Sequence, residues 1–177
     1  CYEYFNSIST IEYLLENINY TAALYLDKDF AIASNYCIRG INLAKENNLP
    51  IYWAEFSGKL FYASQKAGDV ENALKYFDDY YSTFEKLGAY NRIIGSGRIA
   101  AKLYQQIGNE PAANDILRKE IQVTDKIGSG FALAIASDIY KQQGEFDKAI
   151  DYAKRAVEAA KDSGIIHEMH FTLHGLA

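Results

Sequence analysis

Apolar positions along this chain recur with the period of an α-helix and do not alternate as they would along a strand. From Phe146 they fall at Ala149, Ile150, Ala153, Ala156, Val157 and Ala160, offsets of 3, 4, 7, 10, 11 and 14 that trace one helical stripe. Val70, Ala73, Leu74, Phe77, Tyr81, Phe84 and Leu87 repeat the arrangement. Breakers separate the stripes. Gly68, Gly88, Gly108, Gly128, Gly144 and Gly164 stand at stripe ends, where helices take a C′ glycine. Asn48-Leu-Pro50 and Asn109-Glu-Pro111 place an asparagine cap and a proline at helix starts. Ser9-Thr-Ile-Glu12 reads as a capping box opening the first helix. The predicted helices are 9–26, 29–47, 50–67, 69–87, 90–107, 110–127, 130–143, 146–163 and 165–177. Connections of two to four residues make sequential helices neighbours, giving four antiparallel pairs and one further helix.

A longer period overlies the helical one. Ala33, Ala73, Ala113 and Ala149 are separated by 40, 40 and 36 residues, each in a similar frame, such as Gly68-Asp-Val-Glu-Asn-Ala73 and Gly144-Glu-Phe-Asp-Lys-Ala149. Self-similarity of that size marks stacked supersecondary units. The units predicted are 9–47, 50–88, 90–128 and 130–164, with a further one starting at 165, all in a single array over 1–177.

The pattern resembles the tetratricopeptide repeat. Its best match is Leu133, Ala136, Ser137, Tyr140, Gly144, Phe146, Ala149 and Ala156, followed by Ala100, Ala101, Tyr104, Gly108 and Ala113. Phe61 and Ser64 depart from the family's small residue and tyrosine, and Lys28 stands where a glycine is usual. The spacing exceeds the family's usual period of about 34, as in its long-helix members. The resemblance implies an all-α fold, a right-handed α-solenoid of antiparallel helix pairs, and a concave face lined by the first helix of each pair.

Composition narrows the partners. The 177 residues are 49% apolar, enough to build a core, and carry a net charge of −5, so no basic field draws nucleic acid. No apolar run approaches the roughly 20 residues of a membrane span, and the first residues lack the basic and apolar regions of a signal peptide. Two cysteines, Cys1 and Cys37, make no disulfide framework. A cytoplasmic location is the default, with a lipid-anchored Cys1 as the alternative. The pattern stops in mid-repeat at Ala177, as expected of a segment of a longer protein.

Mapped onto this sequence, the family's concave positions are Glu55, Lys59, Tyr62, Gln65 and Lys66, then Arg98, Lys102, Gln105 and Gln106, then Phe131, Asp138, Lys141 and Gln142. Cations exceed acids there on a chain that is acidic overall. Lys59, Tyr62, Lys66, Arg98, Lys102 and Lys141 are therefore the expected peptide-binding residues, with Lys and Arg taking carboxylates and Tyr62 packing on apolar parts. Lys and Gln also suit any exposed helix position. Arg98 falls at the phase of the family's first clamp lysine and the clamp asparagine is missing, so a chaperone-tail clamp is not expected.

His167, His170 and His174 share one helix face at offsets of 3 and 4, a spacing open to a transition metal. Three consecutive turns span too far for one ion, and histidines packed against a following helix are the plainer reading. Gly95-Ser-Gly97 and Gly128-Ser-Gly130 follow no strand and precede no P-loop lysine, so they read as inter-repeat turns. Cys37 lies on an apolar stripe as a small buried hydrophobe. No catalytic pair or triad stands out, so neither enzymatic activity nor a cofactor or metal is expected. The function expected is a protein- or peptide-interaction module of a larger signalling or scaffolding protein, taking an extended or acidic segment. The alternatives are the sensory domain of a peptide-pheromone receptor, response-regulator phosphatase or sensor kinase, and an oligomerisation element dimerising through its terminal helix.

Overall fold

A computed structural model describes the backbone of residues 2–163 and the side chains of 10–162. The predicted helix 165–177, with its three histidines, and Cys1 lie outside these residues. Among the described residues the fold is all-helical: α1 (Tyr2–Tyr25), α2 (Phe30–Glu46), α3 (Pro50–Ala67), α4 (Val70–Lys86), α5 (Tyr90–Ile93), α6 (Ser96–Gln106), α7 (Glu110–Ile127), α8 (Gly130–Gln142) and α9 (Phe146–Ser163). Contacts divide the chain into two compact units, one ending at Gly88 and the other beginning at Ala89.

Local chemistry sets most helix ends. Gly68, Gly88, Gly108, Gly128 and Gly144 all have positive φ, the left-handed conformation that lets a chain reverse after a helix. At the starts, the side chains of Asp29, Asp69, Asn109 and Ser129 each accept the amide three residues on, which satisfies one of the orphan donors of a first turn.

Three expectations need correction. The helix predicted from Ser9 starts at Tyr2, so Ser9-Thr-Ile-Glu12 lies inside α1 and is not a capping box. Nothing in Tyr2–Ile8 is a glycine or proline that would stop the helix short of Ser9. Asn48 caps nothing: it takes a left-handed φ of 54°, and Leu49 occupies the N-cap position ahead of Pro50. The helix predicted over 90–107 is broken at Ile94–Gly95, where Gly95 has φ 86°, so Gly95-Ser-Gly97 interrupts a helix instead of joining two repeats. Gly128-Ser-Gly130 does join two helices, Gly128 ending α7 and Ser129 capping α8.

In the first unit α2 packs on α1 and α3, and α4 packs on α3. Leu15, Ile18 and Ala22 of α1 meet Cys37, Ile41 and Ala44 of α2 and Phe56 and Leu60 of α3 in one cluster. The Phe56 ring sits where a Cβ on Gly40 would fall, 2.4 Å from it, so the missing side chain is what admits the ring. On the other side of α3, Phe61 packs against Phe77 with ring centroids 5.2 Å apart, and Tyr80 stands edge-on to Phe84. The indole N–H of Trp53 donates to the Thr83 hydroxyl at 3.2 Å, tying α3 to α4.

In the second unit α7 packs on α6 and α8, and α8 on α9. Alanines dominate the buried face of α9, with Ala149, Ala153, Ala156 and Ala160 at most 7% exposed. Small residues keep the helices close: a Cβ on Gly130 would lie 2.8 Å from the backbone oxygen of Ala156. Ser137 donates to the Ala149 carbonyl at 2.8 Å. The four alanines of the long period, Ala33, Ala73, Ala113 and Ala149, are all buried.

Candidate functional site

The expected binding residues divide between the two units. In the first, α3 carries Lys59, Tyr62 and Lys66. Lys59 is half-buried and Tyr62 and Lys66 are exposed. The Tyr62 ring leans on Phe61 and meets Tyr80 edge-on, centroids 4.8 and 6.3 Å apart, so its orientation is set by the α3–α4 aromatic cluster. Lys66 donates to Asp27 at 2.8 Å. That pair is open to water on both sides, and such an exposed ion pair holds Lys66 only weakly. Glu55, the acid among these positions, accepts from the Asn19 amide at 3.3 Å.

In the second unit α6 carries Arg98 and Lys102, and α8 carries Lys141. Two expected groove positions meet each other: Arg98 donates to Asp138 of α8 at 2.9 Å, with the pair about one-third exposed. Arg98 is thus committed to holding α6 against α8, and less of its charge faces a ligand than the sequence implies. Lys102 and Lys141 are exposed and, like Lys59, form no ion pair among the described residues. None of the six lines the shallow groove of about 420 Å³ elsewhere in the first unit, which Leu14 of α1 and Asn35, Ile38, Arg39 and Glu46 of α2 enclose.

The most perturbed acid is one the sequence reading passed over. Glu120 of α7 is 0% exposed. Its carboxylate accepts the backbone N–H of Gly95, and that of Gly97 at 3.1 Å. α6 has no side-chain cap of its own at Gly95, so an acid from the next helix caps it. A Cβ on Gly97 would lie 2.3 Å from the carboxylate, which is why the approach needs glycine there. Burial pushes the Glu120 carboxyl up to about 7, against the two amide bonds and the Arg98 guanidinium, which all favour the charged form. The signal was in the chain: Ala113, Ile116, Leu117, Glu120, Val123 and Thr124 form one helical stripe with an acid in its centre.

No protein-family model and no curated protein matches this chain. Cys37 is fully buried and its thiol is raised to about 11 by burial, so it stays protonated near neutrality and packs as a small hydrophobe. Among the described residues no three His, Cys, Asp or Glu side chains gather as a metal set would. No described helix is long and apolar enough to cross a membrane. His167, His170 and His174 lie outside the described residues.

Proposed function

We propose that the chain is a tetratricopeptide-like array of antiparallel helix pairs, a right-handed solenoid whose units bind an acidic or extended peptide. Binding uses Lys59, Tyr62 and Lys66 of the first unit and Lys102 and Lys141, flanked by Arg98, of the second. The observation that carries this reading is the state of the cations. On a chain of net charge −5, Lys59, Lys102 and Lys141 stand without an acidic partner among the described residues. The buried alanine beat and the positive-φ glycines support the repeat reading. A peptide carboxylate reaching these lysines meets charge that no internal pair has neutralised, and charge-assisted bonds orient it.

The test is fluorescence anisotropy with a labelled Glu/Asp-rich peptide and a Gln/Asn counterpart of the same length, at low and high salt. Tight binding of the acidic peptide, weakened by salt, is expected. Lys102→Glu with Lys141→Glu should weaken it by about tenfold or more, equivalent to about 1.4 kcal/mol. These two positions are preferable to Arg98, whose loss also breaks the Asp138 pair. Equal affinity for both peptides, or for wild type and the double variant, overturns the assignment.

A further inference from the structure

We propose that Glu120 is a proton-operated latch on the break between α5 and α6: ionised, it holds the Gly95 and Gly97 amides against α7, and protonated it loosens its hold on one of them. The proposal is independent of the peptide-binding reading.

Geometry carries it. A carboxylate has two acceptor oxygens, and here each takes one backbone N–H, Gly95 on Oε1 and Gly97 on Oε2. A carboxylic acid has one oxygen that bears a hydrogen, and that oxygen accepts more weakly than a carboxylate oxygen does. Adding a proton therefore turns one of the two acceptor oxygens into a hydroxyl, which holds its amide more weakly, on a side chain that is itself fully buried. The nearby Ile93 carbonyl accepts the Ser96 hydroxyl, which fixes the start of α6 beside the latch. The backbone that would move is the one where the helix is already interrupted, with Gly95 at φ 86° and Ile94 extended at ψ 130°. A segment joined by such a break can shift without unwinding either helix.

The charged groups around the latch set its midpoint. From α6, Arg98 faces Glu120 and favours the ionised form. From α8, Asp138 pairs with Arg98 at 2.9 Å. From α5 come Tyr90, whose hydroxyl accepts from Lys126, and the exposed Arg92. On α7 itself Lys119 pairs with Asp115 at the surface. Burial opposes the ionised form most strongly, so the two states exchange near neutral pH and not near the ordinary carboxylate range.

The experiment is an NMR titration of the whole chain, following the Glu120 side-chain carboxyl ¹³C and the Gly95 and Gly97 amide resonances. The expected result is a shared midpoint within about one unit of 7 for all three. Hydrogen exchange of the two amides, corrected for intrinsic rates, should be about tenfold less protected on the acid side, as about 1.4 kcal/mol of lost bonding requires. Glu120→Gln should abolish the pH step while α9 amides keep their protection. A Glu120 midpoint below 5.5, amides that do not move with it, or a step that survives in Glu120→Gln overturns the proposal. The wild-type titration decides the matter even if the variant fails to fold.

Discussion

Replacing Gly40 with alanine sets two rules against each other, and the structure says which wins. Gly40 lies inside α2, where alanine is favoured over glycine by about 1 kcal/mol from helix propensity alone. The added Cβ would stand 2.4 Å from Cε2 and Cζ of Phe56 and 2.7 Å from Cδ2. Carbon atoms rest at about 3.5–4.0 Å, so ring or backbone has to retreat by about 1 Å or more. Phe56 is 0% exposed and packed among Leu15, Ile18, Ile41 and Leu60, which leaves the ring little room. Overpacking of this kind costs about 1–3 kcal/mol. After the propensity gain is subtracted, Gly40→Ala should destabilise the first unit by up to about 2 kcal/mol. Trp53, the chain's single tryptophan, sits in α3 three residues before Phe56 and reports this unit in urea denaturation followed by fluorescence. Phe56→Leu opens the space, so the double variant should be more stable than the two single losses predict, with a coupling of about 0.5–3 kcal/mol. A Gly40→Ala midpoint at or above wild type, or strict additivity with Phe56→Leu, would refute the claim that this contact limits how closely α2 meets α3.

Glu120 links stability to pH with a definite sign. Its carboxyl is raised from 4.5 to about 7 in the folded chain, so the native state binds the proton more tightly than the unfolded one. Its stabilising contribution is therefore present in full below 4.5 and lost as pH rises to about 7, by about 3 kcal/mol in total. Urea midpoints by circular dichroism at pH 5 and 8 should show the fall, and Glu120→Gln should remove it; an unchanged slope contradicts the assignment. Ser129→Ala removes the side-chain acceptor for the Ala132 amide at the start of α8 and should cost about 1 kcal/mol, read as a lower urea midpoint. Thr83→Val keeps shape and deletes the acceptor of the Trp53 indole, so a loss of about 1 kcal/mol and a shifted emission maximum are expected. An unmoved spectrum would show that the bond does not form in solution.

Helix content and most helix ends were legible because they depend on local chemistry. Periodic apolar stripes, αL glycines and Asp, Asn or Ser caps act within a turn or two, and α3, α7 and α9 match their predicted spans residue for residue. Two of the misses share a cause, which is that the deciding partner is distant in sequence. Gly95 and Gly97 looked like a turn between repeats because the Glu120 carboxylate that holds them is more than twenty residues further on. Arg98 and Asp138 looked like two separate groove positions because the ion pair joining them spans forty residues. Ser9 shows the opposite weakness: a capping box describes who could cap, while the unbroken helical backbone before it left nothing to cap.

The same distinction bears on the candidate site. Counting charges along mapped positions treats Lys59, Lys66, Arg98, Lys102 and Lys141 as equivalent cations, which the structure does not. Lys66 holds an exposed carboxylate only weakly, whereas Arg98 holds a half-buried one and faces a second acid, Glu120, from the other side. Losing Arg98 would remove the one nearby cation that favours Glu120 ionisation and would raise its midpoint further. Arg98 therefore belongs as much to the interior of the second unit as to its surface. Substitutions there should change the pH response of α6 as well as affinity, while Lys102 and Lys141 should change affinity alone. A variant set separating the two responses tells ligand recognition from helix positioning, which affinity alone does not.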